Sequence, residues 1–174
     1  MNKFAGHLTT VLKHRHMVMR HCIKAGLIRR GLLHDLSKFS PTEFIPGVIY
    51  FQGNRSPNER EREVNGYSKA WMHHKGRNRH HFEYWTDYNP VTKNCEPVRM
   101  PDIFIYEMFC DRVAASKIYN GSNYTDDMPL QYFLKAKKRR NIEKYTSDKL
   151  EFLLRLLASK GEDAAFKYIR RHIR

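Results

Sequence analysis

Cysteine is scarce in this chain. Its three residues, Cys22, Cys95 and Cys110, are an odd number with no C-x-x-C spacing. That excludes a disulfide framework and a structural zinc site built on thiolates. Cys22 and Cys110 fall in apolar, helix-patterned segments, where a free cysteine behaves as a small buried hydrophobe. Long apolar runs are also missing: nothing approaches the roughly 18 residues that would suggest a membrane span. Met1 to His7 lead into an amphipathic segment without an apolar signal core. The expectation is a cytoplasmic protein with no membrane partner. Acidic residues are few beside basic ones, 18 Asp+Glu against 32 Lys+Arg, which leaves a net charge of +14. Such a field draws in polyanions and phosphate-bearing ligands, whether nucleotides, nucleic acid or acidic proteins. Part of the excess lies in local runs, Lys135 to Arg140 and Arg170 to Arg174, of the kind that usually forms a solvated helix face. Internal repeats, low-complexity tracts and β-hairpin signals are absent as well.

Helical patterning is what remains. A length of 174 residues suits one domain with its own core. From Phe4 to about Ile28, Val11, Val18, Cys22 and Ala25 recur on one face. Pro41 opens a helix that Pro46-Gly47 limits. Glu59 to about His74 reads as helical with a blemish at Gly66, and Lys75 to Arg79 as a flexible loop. Asp87 to Pro101 reads as irregular, because Pro90, Pro97 and Pro101 deny it a long helix. Pro101 then starts a helix over Asp102 to about Tyr119, stopped at Asn120-Gly121. Further helices are expected over Leu130 to about Lys144, from a capping box at Asp148 and Glu151 to Gly161, and over Ala164 to Ile173. The fold class expected is all-α, one helical domain over residues 1–174, with a core at about 4–120 and C-terminal helices at about 128–174.

Ten histidines is a high count, and eight of them crowd positions 14, 16, 21, 34, 73, 74, 80 and 81. Imidazole with carboxylate suits a first-row divalent ion such as Mn, Fe, Zn, Co or Ni. His34 and Asp35 are adjacent, and neighbours on a helix point about 100° apart. They can converge on one ion only near a helix end, which Ser37, Ser40 and Pro41 offer. The plain alternative is a helix-terminal His with a capping Asp. Lys38, placed to meet a phosphate oxygen, weighs against it. His14 lies beside Val11, Val18 and Cys22 and so faces inward, with His7 and His21 one heptad to either side, while His16 points away. A lone inward His is more often a core residue bonded to a carbonyl.

Asp111 sits mid-helix at the margin of an apolar face, where a carboxylate is costly unless it is paired or holds metal. Arg112 or Lys117 could pair with it. The densest group is His73-His74-Lys75-Gly76-Arg77-Asn78-Arg79-His80-His81. Its imidazoles suit metal, and Lys75, Arg77 and Arg79 suit phosphoryl oxygens; the alternative is an unstructured loop facing nucleic acid.

His14, then Leu32-Leu33-His34-Asp35-Leu36-Ser37-Lys38, then Asp111 resembles the H…HD…D signature of the HD-domain superfamily, helical-bundle metal-dependent phosphohydrolases. The intervening histidines resemble its dinuclear H…HD…H…H…D branch. The resemblance spans residues 14 to about 117. It implies one metal on His14, His34, Asp35 and Asp111, with His16 or His21 as alternative first ligands. A second would be held by His74 and one of His80 and His81. Asp35 and Lys38 would be catalytic, and Lys38, Lys75, Arg77 and Arg79 would hold the phosphate of a substrate, a nucleotide in the first instance. The whole chain also resembles an uncharacterised bacterial and phage family with blocks like His73–Asn78 and Cys110–Lys117, which implies no activity.

Three other readings stand beside this one. A histidine–asparagine–histidine nuclease would need a β-hairpin near Trp71 to Trp85, where no strand pattern is found. A basic, non-catalytic nucleic-acid-binding protein would bind in a salt-dependent and metal-independent way. A di-iron oxygenase could use similar ligands.

Overall fold

A computed structural model describes residues 2–173. Helix α1 (Lys3–Ala25) starts where the Asn2 side chain accepts a hydrogen bond from Phe4 N, and stops at Gly26, whose left-handed φ of 83° suits glycine. The heptad flank expected from the sequence is present: His7, Val11, His14, Val18, His21 and Cys22 are all buried, and His16 is exposed. The helix ends earlier than Ile28 because Gly26 breaks it. A short α2 (Ile28–Leu33) then packs back on α1, with Gly31 against Cys22 and Met19.

A 3₁₀ turn (Leu36–Phe39) leads into α3 (Pro41–Ile49). Pro46 lies inside α3, so the helix runs one residue-triplet past the proline expected to limit it. Helices α4 (Pro57–Asn65) and α5 (Lys69–Arg77) replace the single expected helix; Gly66, at φ 78°, divides them. Ser68 caps α5 by accepting from Trp71 N at 2.9 Å. The expected Lys75–Arg79 loop is a correction: α5 carries through Gly76 to Arg77, and the chain leaves the helix only at Asn78. One glycine costs a helix only about 1 kcal/mol, which tertiary packing overrides.

A second correction concerns Asp87 to Pro101. Strands β1 (Thr86–Asn89) and β2 (Asn94–Pro97) form a small antiparallel hairpin there, with Thr86 opposite Pro97 and Asn89 opposite Asn94. The turn places Lys93 at φ 60° and uses Asn89 Oδ1 as acceptor for Val91 N. Both strands are short, mostly exposed and polar, so they lack the alternation by which strands are recognised.

Helix α6 (Asp102–Asn120) is the axis of the molecule. Phe104 to Cys110, Val113 and Ala114 are buried almost all round, the mark of a central helix. Around it pack α1, α7 (Met128–Lys137) and α8 (Lys144–His172). Leu150, Leu153, Leu154, Leu157, Ala165, Phe166 and Ile169 of α8 join the same core as Val18, Cys22 and Phe109. The C-terminal helices therefore complete that core. Helix α7 ends seven residues before Lys144, short of the expected bound. The start of α8 is capped by Glu143, which accepts from Tyr145 N and Thr146 N, rather than by Asp148. Gly161, at φ 76° and ψ 176°, interrupts α8 where a stop was expected. The fold class is all-α in its architecture, with eight helices and one two-stranded hairpin among the described residues.

Candidate metal centre

Four segments meet beside α6. His14 comes from α1 and Asp111 from α6, with His14 Nε2 2.9 Å from Asp111 Oδ1. His34 and Asp35 come from the junction between α2 and the 3₁₀ turn. There His34 is extended (φ −56°, ψ 130°) and Asp35 is left-handed (φ 54°, ψ 28°). Asp is among the few residues that enter that region. The break turns two adjacent side chains towards one point, which a continuous helix would not do. His34 Nε2 lies 3.3 Å from Asp35 Oδ2 and 3.5 Å from Asp111 Oδ1.

The other oxygen of Asp35 faces the histidine-rich segment. Oδ1 is 3.4 Å from both His74 Nε2 and His80 Nε2, and His74 Nε2 is 2.9 Å from His81 Nε2. Two groups of four donors result. His14, His34, Asp35 and Asp111 form one; Asp35, His74, His80 and His81 form the other. Within each group the donor atoms lie within 4.8 Å of one another. Asp35 belongs to both.

The donor atoms fit bound cations. His14 Nε2, His34 Nε2, His80 Nε2 and Asp35 Oδ1 are buried without a hydrogen-bond partner; even the close His14–Asp111 pair lacks hydrogen-bond geometry. Buried polar atoms are normally satisfied, and a bound ion is one partner that could satisfy these four. Nitrogen with carboxylate oxygen is the donor chemistry of Mn, Fe, Zn, Co and Ni.

Two carboxylates brace the set from outside. Glu107 Oε1 accepts from His34 Nδ1–H at 3.1 Å and stands 3.3 Å from His80 Nδ1. Glu43 accepts from His74 Nδ1–H and His73 Nδ1–H, each at 2.7 Å. A proton fixed on Nδ1 turns Nε2 inward, the outer-shell arrangement of metal-bound histidines. Burial works against a charge on His34, but Asp35, Asp111 and Glu107 outweigh it and raise its pKa well above the usual value, so a cation arriving there displaces the Nε2 proton. Burial opposes ionisation of Glu107, but hydrogen bonds from His34 and His80 outweigh it and bring its pKa down to about 2. Asp35 is held well below the usual carboxylate range: burial works against it, and His34, Lys38 and His74 prevail. Asp111 is likewise held down against burial, by His14 and His34. Burial and Lys38 lower His14; burial, His80 and His74 lower His81. Both imidazoles therefore favour the neutral form that ligation needs.

The centre opens past Asp111 and His81 into a cavity of about 800 Å³, lined also by Trp71, Tyr119, Arg112 and Arg140. Arg112 Nε and Arg140 Nη1 are buried there without partners. Burial, with Arg140 nearby, lowers the Arg112 guanidinium to about 10.

All seven metal candidates, His14, His34, Asp35, His74, His80, His81 and Asp111, are thus brought together. The alternatives His16, His21 and His73 stand outside both groups: His16 is exposed, His21 Nδ1 faces the Cys110 carbonyl at 3.2 Å, and His73 donates to Glu43. Asp111 pairs with histidines rather than with Arg112 or Lys117. Lys38 Nζ sits 2.7 Å from Asp35 Oδ2. The remaining phosphate candidates lie elsewhere. Arg77 and Arg79 line a different cavity, which also contains Glu107, and Lys75 lines neither, although its charge acts on Glu83. Sequence reading missed Glu107, Glu43, Arg112 and Arg140. Glu107, one turn before Asp111 on the same helix, was the one with a visible signal.

The chain belongs to the family of unknown function DUF5662. The match covers residues 3–156, so the DUF5662 region takes in both donor groups, Glu43, Glu107 and the first part of α8. No curated protein and no solved structure matches it.

Proposed function

We propose that this DUF5662 chain is a metal-dependent phosphohydrolase of HD type, acting on a phosphate ester of the nucleotide class. His14, His34, Asp35 and Asp111 would hold one divalent ion, and Asp35, His74, His80 and His81 a second. The observation that carries the reading is the pair of four-donor groups sharing Asp35, with its orphaned inward-facing atoms. Bound there, such ions supply Lewis acidity towards a phosphoryl oxygen and towards water.

The chain's own residues do the rest. Glu107 and Glu43 fix the imidazole tautomers and orientations. Lys38, half-buried at the edge of Asp35, is placed to neutralise a phosphoryl oxygen. Arg112 and Arg140 offer unmatched N–H groups in the adjoining cavity, suited to the anionic part of a substrate. Trp71 and Tyr119 give that cavity aromatic surface on which a base can lie.

The test is elemental analysis of untagged wild type beside Asp35→Asn, followed by a phosphatase and nucleotide screen. Metal in the wild type, lost from the variant, with metal-dependent release of phosphate, supports the reading. Protein that stays metal-free after reconstitution overturns it and favours a basic nucleic-acid-binding protein. Bound iron without any phosphatase activity favours an oxygenase on the same ligands.

A further inference from the structure

We infer that the chain carries a second ligand site, walled in part by His34 and His80 and by Glu107 on their Nδ1 side. The cavity between the start of α2 and the end of α5 takes a small phosphorylated molecule bearing an apolar ring, of the nucleoside polyphosphate class.

This cavity encloses about 650 Å³, within the range of small-molecule sites. Its charge comes from Arg29, Arg30, Arg77 and Arg79, set against one carboxylate, Glu107. That carboxylate is already engaged by His34 and by Arg30, whose Nη1 lies 3.2 Å from Oε2. Among the described residues, Arg29, Arg77 and Arg79 pair with no carboxylate, while Arg30 pairs with Glu107. A charge run along one helix normally fans out into solvent. Here the cations come from two segments distant in sequence and meet around one concavity, which is the arrangement that holds an anion.

The floor of the cavity is of the opposite character. Leu27, Ile103 and Phe104 line it, and the Arg30 guanidinium lies 4.0 Å from the centre of the Phe104 ring. Cations over an apolar floor match a ligand that is anionic at one end and ring-like at the other. Inorganic phosphate would leave the floor unused. A long nucleic acid calls for an extended track rather than a single concavity with an apolar lining. The two cavities share no lining residue. Glu107 stands on the Nδ1 side of His34 and His80, while their Nε2 atoms face Asp35. A ligand here would compete with Glu107 for Arg30.

The experiment uses the full chain stripped of metal and kept in chelator, so that turnover plays no part. Each of the four ribonucleoside triphosphates, and inorganic triphosphate, is titrated by calorimetry into wild type, Arg77→Gln/Arg79→Gln and Arg112→Gln/Arg140→Gln. Arg77 and Arg79 are exposed, so their variant should fold, as a melting curve will show. At least one nucleotide should bind more tightly than inorganic triphosphate. The Arg77/Arg79 variant should weaken that binding about tenfold or more, and the Arg112/Arg140 variant by less than about threefold. No binding by any nucleotide overturns the site. So does loss confined to the Arg112/Arg140 variant, or equal loss in both, which would mark diffuse attraction to a basic protein.

Discussion

Glu107 and Asp111 stand one helical turn apart on α6 and hold His34 by its two edges: Glu107 Oε1 is 3.1 Å from Nδ1, and Asp111 Oδ1 is 3.5 Å from Nε2. One rigid helix therefore sets both a donor atom and the proton that fixes its neighbour's tautomer. The position of α6 in the core makes the arrangement stiff, since its flanking residues Met108, Phe109 and Cys110 are buried.

Replacing the outer carboxylate should weaken the centre without removing a donor. Glu107→Gln is expected to lower metal affinity about 10- to 100-fold, the usual effect of losing such a brace. A competition titration against a chromophoric chelator reads this. Unchanged affinity would show that Glu107 only balances Arg30.

His73 and His74 share Glu43, yet only His74 belongs to a donor group. His74→Gln should cost one metal equivalent, and His73→Gln none. Elemental analysis of the two variants side by side decides it, and equal metal loss in both would contradict the placement.

Gly31 links helix packing to the site. A Cβ there would stand 2.7 Å from Cys22 Cβ and 3.2 Å from Met19 Cα, so α2 would have to lift off α1. Gly31→Ala should destabilise the chain by about 1–3 kcal/mol, the range for overpacking. Because α2 delivers His34 and Asp35, metal affinity should fall too. Denaturant unfolding with a parallel metal titration checks both effects.

Acid sensitivity follows from His21. Burial lowers its pKa to about 4, below the ordinary 6.5, and its Nδ1 faces the Cys110 carbonyl. The unfolded chain therefore takes up this proton first as pH falls. The contribution to stability is complete above about 6.5 and is lost progressively down to about 4, with a size on the order of 2 kcal/mol. Melting temperatures of chelated protein should decline across that window, and His21→Gln should flatten the decline. His7, also lowered to about 4 by burial and by Lys38, accounts for part of the remaining slope.

Bound metal should also stabilise the fold, since its donors come from four segments that only the native chain brings together. At a hundredfold excess over Kd the gain is about 2.7 kcal/mol. Wild type should melt higher with metal than with chelator, and Asp35→Asn should show no difference. A metal-dependent rise in the variant would place the ions elsewhere.

The donor residues were legible because each broke a local rule: His14 on an apolar face, Asp111 at the margin of one, and His34-Asp35 at a helix end. The bracing carboxylates were not, because a glutamate on a helix breaks no rule until its partner is known. Glu43 finds His74 only through the packing of α3 on α5. Arg112 and Arg140 were hidden for the same reason, lost among many cations. Composition brought Arg77 and Arg79 to notice, yet they line a cavity other than the one beside Asp111. The β-hairpin escaped because its strands are polar on both faces, and the start of α8 because Glu143 made the cap that Asp148 was expected to make.

The two oxygens of Asp35 are not alike: Lys38 occupies Oδ2, and Oδ1 has no partner. On the side of His74, His80 and His81 an arriving cation breaks only the His74–His81 hydrogen bond, whereas on the side of His14 and Asp111 it must displace an ammonium. Loading should therefore be ordered, with the histidine-rich position filling first and the other following at higher metal concentration. Under metal limitation the dominant species would then be a singly loaded form with Lys38 still in place.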